Sequence, residues 1–282
     1  MDISQFIVYY LQIVFYTIGS IILCAFLVHA CERFFCNMVG GSVGGGFIAA
    51  ISIIGTPIHE LGHAAMALIF DNKIDKIVLW RAKGMEDGLF GSVTCHPRPN
   101  KNYVHKVYHE IGELFISLGP IFSGILMLVF TLFACFPNTI QTYFASAGSL
   151  IAAGDDGGGL LAEGFKMLPN MFKEIGSGSA PEILQNLALL VIISISLHIS
   201  LSPADIKTAI PGAKAYLLLA LAFTIVTGIF GTTVVSGILG GLQVYHSFMI
   251  GLFVIVLVCC LIPIGIALAV RLIYWLITEY IF

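Results

Sequence analysis

The chain has 282 residues, of which 58% are hydrophobic and only 10% are charged. Soluble domains carry about 25% charged and about 45–50% apolar residues, so this composition excludes a soluble fold and indicates an integral protein of the lipid bilayer. The formal net charge is −3, with no basic tract, which argues against nucleic-acid binding. The seven cysteines mostly lie in apolar stretches and predict neither a disulfide framework nor a CxxC zinc site.

Six stretches are long and apolar enough to be membrane spans. A hydrocarbon core about 30 Å thick needs about 20 apolar residues in a helix. The predicted fold is therefore an all-α polytopic membrane protein, with a single transmembrane domain over residues 1–282. The predicted spans are Ile7–Ala30, Gly45–Phe70, Leu114–Cys135, Ile183–Leu201, Tyr216–Val235 and Phe248–Leu276.

The distribution of basic residues predicts the orientation, because cytoplasmic loops are enriched in Lys and Arg. With the N terminus inside, only Arg33, Lys166 and Lys173 lie on the outer side, and the other ten of the 13 basic residues lie in cytoplasmic segments. The sequence therefore predicts that the N and C termini are both cytoplasmic. The plasma (inner) membrane is the expected location.

Two connections between spans are long enough to hold structure. Residues 71–110 form the predicted cytoplasmic loop, in which Ile77–Trp80 and Phe90–Thr94 have the composition of strands and flank the turn-rich residues 83–88. This pattern predicts a small β-hairpin against the cytoplasmic membrane face. Residues 137–182 form the predicted extracytoplasmic loop, either as a surface-lying helix or as plain loop.

The chemistry is concentrated in the second predicted span, which holds the motif His59-Glu60-Leu61-Gly62-His63. Residues four apart share a helix face, so His59 and His63 can direct two imidazoles at one metal ion, with Glu60 beside a water. This is the H-E-x-x-H arrangement of zinc proteases, in which the glutamate is the general base. Ionisable groups inside a span are costly unless functional or paired, which favours a zinc (Zn²⁺) site over packed histidines.

A catalytic zinc ion takes three protein ligands, so a third must come from another span. Asp205 is favoured, because Pro203 interrupts the helix and frees backbone for a carboxylate site; the alternative is an ordinary helix-end carboxylate. His198 is a partner that orients a ligand, an alternative ligand, or a packed histidine. The titratable candidates in or next to the later spans are Glu113, His198, Asp205 and His246.

These residues resemble the site-2 protease family of intramembrane zinc metalloproteases. The resemblance covers about residues 45–215 and rests on His59–His63, on Leu118–Ser123 and on Leu201–Asp205. It implies zinc bound by His59, His63 and Asp205, with Glu60 activating water. Ser123 stands where the family carries asparagine, and Ile206 follows Asp205 where glycine is usual, so the chain looks like a divergent branch.

The expected function is hydrolysis of peptide bonds in or near transmembrane segments of membrane protein substrates, as in regulated intramembrane proteolysis. The alternatives are a catalytically silent membrane adaptor of the same fold and a metal-binding transporter. The predicted hairpin either pairs with an extended substrate by β-augmentation or serves as a plain cover. His96, His105 and His109 are expected to be solvated loop histidines rather than further ligands.

Overall fold

The computed structural model describes residues 2–39, 44–82, 84, 89–99, 102–154 and 158–280. This part of the chain is predominantly helical, with one two-stranded antiparallel sheet, as the all-α prediction with a small hairpin requires. The elements are α1 (Ile3–Val14), a π-helical turn (Phe15–Gly19), α2 (Ser20–Val39), α3 (Gly44–Ile69), β1 (Asn72–Val78), β2 (Ser92–Pro97), α4 (Tyr103–Cys135), α5 (Pro137–Ala152), α6 (Gly158–Glu174), α7 (Glu182–Ser196), α8 (Pro203–Ile229) and α9 (Thr232–Tyr280).

Within the described ranges, four helical segments are long and apolar enough to cross a membrane: Ile3–Val39, Tyr103–Cys135, Pro203–Ile229 and Thr232–Thr278. They indicate a membrane-embedded protein, and they are fewer than the six predicted spans. The helix that carries the metal motif, α3, is not among them, because His59, Glu60 and His63 lower its mean hydropathy. The remaining predicted span corresponds to α7, which is apolar but has only 15 residues.

The predicted fifth span, Tyr216–Val235, is wrong in its bounds because it contains a reversal of the chain. Helix α8 ends at Ile229 and α9 begins at Thr232. Between them Gly231 takes a φ of +92°, a left-handed conformation that glycine adopts without steric cost. A continuous apolar run thus conceals a turn that hydropathy alone does not register.

Helices α7 and α8 follow one another along α4 in the same direction. At the start of α7, the Gln185 amide donates to the carbonyl of Cys135 at the end of α4 (3.1 Å). In α8, Gly212 lies against Leu114, one third of the way along α4. Both helices are therefore antiparallel to α4. The irregular segment 197–202 joins two helices that run in the same direction, and it does not connect two antiparallel helices.

The first and last helices run parallel. Tyr9 of α1 shares a hydrophobic cluster with Val235 near the start of α9, and Phe35 of α2 shares another with Ile262 farther along α9. Parallel first and last helices place the two termini at opposite ends of the helical assembly. The predicted pair of cytoplasmic termini concerns the sides of a membrane, and it stays a prediction.

The hairpin folds back along α3 instead of lying beyond its end. Its strands pair from Asn72 with Pro97 to Val78 with Ser92, so β1 begins and ends earlier than predicted, and β2 begins and ends later. The indole of Trp80 donates to the Ser52 hydroxyl of α3 (2.9 Å), which brings the far end of the hairpin past the metal motif. Of the predicted turn, Lys83 and residues 85–88 lie outside the described residues.

Residues 137–182, predicted as surface helix or loop, hold the two helices α5 and α6. They pack against each other and against α9, where the Tyr143 hydroxyl donates to the Gly251 carbonyl (2.7 Å). The carboxylate of Glu174 at the end of α6 accepts from the backbone N–H groups of Asn138 and Thr139 (2.9 and 2.8 Å). It thereby caps the first turn of α5, whose backbone donors have no intrahelical partner.

Candidate metal centre

Three side chains that are far apart in the sequence converge between α3 and α8. The Nε2 atoms of His59 and His63 lie 3.2 Å apart. Asp205 directs Oδ1 at His63 Nε2 (3.2 Å) and Oδ2 towards His59 Nε2 (3.9 Å). All three are shielded from the exterior, with side-chain exposures of 11–16%. The structure thus brings together the three residues expected to be ligands.

The outward-facing nitrogens of both imidazoles are fixed by backbone carbonyls. His59 Nδ1 contacts the carbonyl of His198 (2.8 Å), and His63 Nδ1 contacts that of Ile116 (2.7 Å). A carbonyl only accepts, so each Nδ1 carries the proton. Metal-ligating histidines are oriented in this way, with the other nitrogen left as the ligand atom.

The converging atoms do not satisfy one another without a cation. An imidazole nitrogen offers either one proton or one lone pair in the ring plane, so a single proton on Nε2 of His63 meets either Asp205 or His59, not both. A divalent ion placed between the three atoms satisfies every one of these contacts. The chemistry of the donor set therefore fits a metal.

The approach of α3 to α4 depends on two glycines facing each other. A Cβ added to Gly119 would lie 2.6 Å from the carbonyl carbon of Gly62, so only small residues allow this backbone contact, as is common between membrane helices. Next to it, the Ser123 hydroxyl donates to the carbonyl of Ile58 (2.9 Å). Ser123, where the resembled family carries asparagine, thus bonds directly to the backbone of the motif helix.

Asp205 is held by the first turn of α8. The Ser202 hydroxyl accepts from the Asp205 N–H (3.2 Å), and Asp205 Oδ2 accepts from the Ser202 N–H (2.8 Å), which together form a capping box. Pro203 occupies the adjacent first helical position, where a missing N–H costs nothing. The spacing Ser-x-x-Asp is a helix-start signal readable from the sequence, and it would have supported the placement of Asp205 independently of any resemblance.

His198 supports the site without joining it. Its side-chain Nδ1 lies 2.8 Å from the carbonyl of Ser194, one turn earlier, while its own backbone carbonyl orients His59. Of the other candidates, His246 packs against the rings of Phe15 and Tyr16. Neither His246 nor Glu113 belongs to a three-donor group among the described residues.

Glu60 lies beside the metal donors but is not one of them. It is buried, and the charges of His63 and Asp205 act on its carboxyl group. Gly91, just before β2, is packed on top of it: a Cβ there would lie 2.6 Å from Thr56 Cγ2 and 2.9 Å from Glu60 Oε1. The hairpin therefore touches the residue expected to act as general base.

Two features of this region were not predicted from the sequence. Glu32 of α2 accepts from the Ser200 hydroxyl in the segment before Asp205, and a lone carboxylate in an apolar helix is the signal that could have drawn notice. His105 and His109 lie on α4 rather than in a solvated loop, and His109 is buried, so the expectation for these two histidines is wrong.

His59, His63 and Asp205 could together hold a divalent metal ion. Two imidazoles and one carboxylate leave a coordination position for water or substrate, and this donor set is typical of zinc. No protein-family model, no curated protein and no solved structure matches the chain. What the site can do therefore has to be judged from its own side chains.

Proposed function

We propose that the protein is an intramembrane zinc metalloprotease that hydrolyses peptide bonds in or next to membrane-spanning segments of other proteins. The observation that carries the proposal is the convergence of His59, His63 and Asp205, with Glu60 buried beside them in an otherwise apolar helix. Enzymes that cleave within the bilayer need such polar groups where lipid would otherwise exclude them.

We assign a separate role to each of the polar side chains at this site. His59, His63 and Asp205 would hold the ion, which would supply acidification of a bound water and polarisation of a carbonyl. Glu60 accepts a proton from the attacking water at its carboxylate and delivers it to the leaving amine, the role of a general base and then acid. The backbone carbonyls of His198 and Ile116 keep both imidazoles in the ligating tautomer.

We further propose six membrane-embedded segments. They are the four long apolar segments together with α3 and α7, where α7 and α8 form two halves of one interrupted path. The break between them supplies Asp205, since irregular backbone inside a membrane is tolerated where it lines a polar site. The base of the hairpin faces the cytoplasm of the plasma membrane, because the stretch from Lys73 to Lys106 holds seven of the 13 basic residues. The N terminus lies on the same side.

An extended substrate segment is expected to lie along the hairpin. Each strand of the two-stranded sheet has one edge without a partner in the described sheet, and a peptide added there gains main-chain hydrogen bonds. Gly91 sets the hairpin against Glu60. An apolar cavity of about 180 Å³ bordered by Leu118, Leu201 and Ile206 lies between helices near Asp205 and suits an apolar substrate side chain.

The test is cleavage of a single-span model substrate by purified protein in liposomes, comparing wild type with Glu60→Gln. Glu163→Gln, which changes a half-buried carboxylate paired with Lys166 on α6, is the matched control. Cleavage by wild type and the control, with loss in Glu60→Gln at unchanged zinc content, supports the proposal. Equal processing by wild type and Glu60→Gln refutes it, and cross-linking of uncleaved substrate to wild type would instead identify an adaptor.

A further inference from the structure

A second group of two histidines and one aspartate lies outside the metal centre just described. His105 Nε2 is 3.3 Å from Asp71 Oδ2 and 3.0 Å from His109 Nε2. One donor atom from each of these residues falls within 4.8 Å of the others. The spacing nearly repeats that of His59, His63 and Asp205.

The same proton accounting applies to this group. Nε2 of His105 faces both a carboxylate oxygen and the Nε2 of His109, and it cannot donate to one and accept from the other with a single proton or lone pair. Nδ1 of His109 is buried without a hydrogen-bond partner among the described residues, so the polar contacts given for this imidazole are made at Nε2, which faces His105. A cation at the point of convergence engages all three ligand atoms.

The backbone holds these residues in place. His105 and His109 are four apart on α4 and so share one face of the helix. Asp71 follows the end of α3 with a φ of +52°, a conformation that aspartate and asparagine tolerate better than most residues. Arg98 pairs with Asp71 Oδ1 (3.5 Å), which leaves Oδ2 directed at His105.

We propose that Asp71, His105 and His109 bind a second zinc-type divalent cation. The ion would join the end of α3, the start of β1 and the first turns of α4, and so fix the base of the hairpin. It is not catalytic, because Lys106 occupies the place in His-x-x-x-His that Glu60 occupies in the first motif, and its ammonium pairs with Glu110 (3.8 Å). The proposal does not depend on the proposed protease function.

The second site should bind more weakly than the first. Both ligating histidines of the first site have Nδ1 bonded to a backbone carbonyl, whereas Nδ1 of His109 has no such partner in the described structure. Loss of such outer partners typically costs about 10–100-fold in metal affinity. A Zn²⁺ titration should therefore resolve a tight and a weaker phase.

The experiment is equilibrium dialysis of tag-free, metal-stripped protein in detergent against Zn²⁺, with bound zinc measured by mass spectrometry. Wild type should bind two ions, whereas Asp71→Asn, His105→Gln and His63→Ala should each bind one. Combining Asp71→Asn with His63→Ala should abolish binding. His96→Ala is the matched control, because His96 is an exposed hairpin histidine paired with Asp75, and it should retain two ions.

One bound ion in wild type, reduced to none by His63→Ala, would overturn the second site and leave the first intact. Two ions in both Asp71→Asn and His105→Gln would also overturn it. Asp71→Asn preserves the left-handed backbone, and its circular dichroism spectrum in detergent checks the fold. Because the readout is stoichiometry, loss of this site is distinguishable from absence of proteolysis.

Discussion

The two histidine–aspartate groups use the same donors in different surroundings. In the first, the third ligand arrives from a helix 142 positions after His63, across the break before α8. In the second, all ligands come from the short stretch between Asp71 and His109. The first also has a buried carboxylate, Glu60, where the second has a lysine. The residue types of the donors are therefore the same in the proposed catalytic site and in the proposed structural site. The two differ in the residue that follows the first histidine and in the hydrogen bonds at Nδ1 of the histidines.

The largest effect is expected from removing the carboxylate of each group in turn. Asp205→Asn should reduce cleavage of a model substrate by at least about a thousandfold, because Lewis-acid stabilisation is worth several kcal/mol. Asp71→Asn should change the rate by no more than about threefold, since it touches no reacting atom. Both rates are measured in liposomes under single-turnover conditions, and comparable losses in the two variants would contradict separate roles.

A smaller effect is expected from Gly91→Ala, which tests the contact between the hairpin and Glu60. The added Cβ would lie 2.7 Å from Glu60 Cγ, so the hairpin or the general base has to shift. Displacements of about 1 Å can cost up to about 100-fold in rate, and we expect about a tenfold loss with unchanged zinc content.

Gly148→Ala on α5 is the control for Gly91→Ala, because a Cβ there meets nothing within 4 Å. Its rate should equal that of wild type. Full activity of Gly91→Ala would show that the hairpin does not position the base, and loss of zinc from it would point to a general disturbance of the site.

The smallest effect concerns Glu174, a buried carboxylate whose partners are all supplied by the chain. Burial acts to raise the pKa of Glu174, but hydrogen bonds from Thr139 and Asn138 outweigh it and lower the pKa below its ordinary value of 4.5. Its stabilising effect is therefore present above about pH 4.5 and is lost as the pH falls through the lowered pKa.

Glu174→Gln should accordingly lower the free energy of unfolding at pH 7 by about 1 kcal/mol, the usual cost of losing a helix cap. The difference from wild type should shrink as the pH is lowered below about 4.5. Thermal unfolding in detergent at several pH values measures it, and added Zn²⁺ should leave it unchanged. A deficit that persists at low pH would mean that packing, not charge, stabilises this helix start.

The first motif could be predicted from the sequence, because His59, Glu60 and His63 lie within five consecutive residues. The same spacing was present at His105 and His109, yet nothing local reveals that these residues are helical and buried. Asp71 becomes a partner only through the course of the backbone after α3. The chain reversal at Gly231 was hidden for a related reason: hydropathy averages over the residues that make the turn.

The direction of α7 relative to its neighbouring helices also cannot be predicted from hydropathy. Its residues read as an independent span, and only contacts with Cys135 at one end and the break before α8 at the other reveal half of a longer path. Pairing direction is a property of two helices, so no single stretch of sequence contains it.

The hydroxyl of Ser194 stands inside the hydrogen-bond ladder of α3: it donates to the Ile51 carbonyl and accepts from the Gly55 N–H (2.8 Å). Pro57, which lacks an N–H, leaves the Ile53 carbonyl without its usual helical partner just beyond. A side chain of α7, more than a hundred residues later in the sequence, thus satisfies backbone groups of α3. The backbone bonding of α3 is therefore incomplete until Ser194 of α7 is in place, and Asp205 follows at the start of α8. The group of His59, His63 and Asp205 is therefore complete only once the chain has been synthesised beyond Asp205.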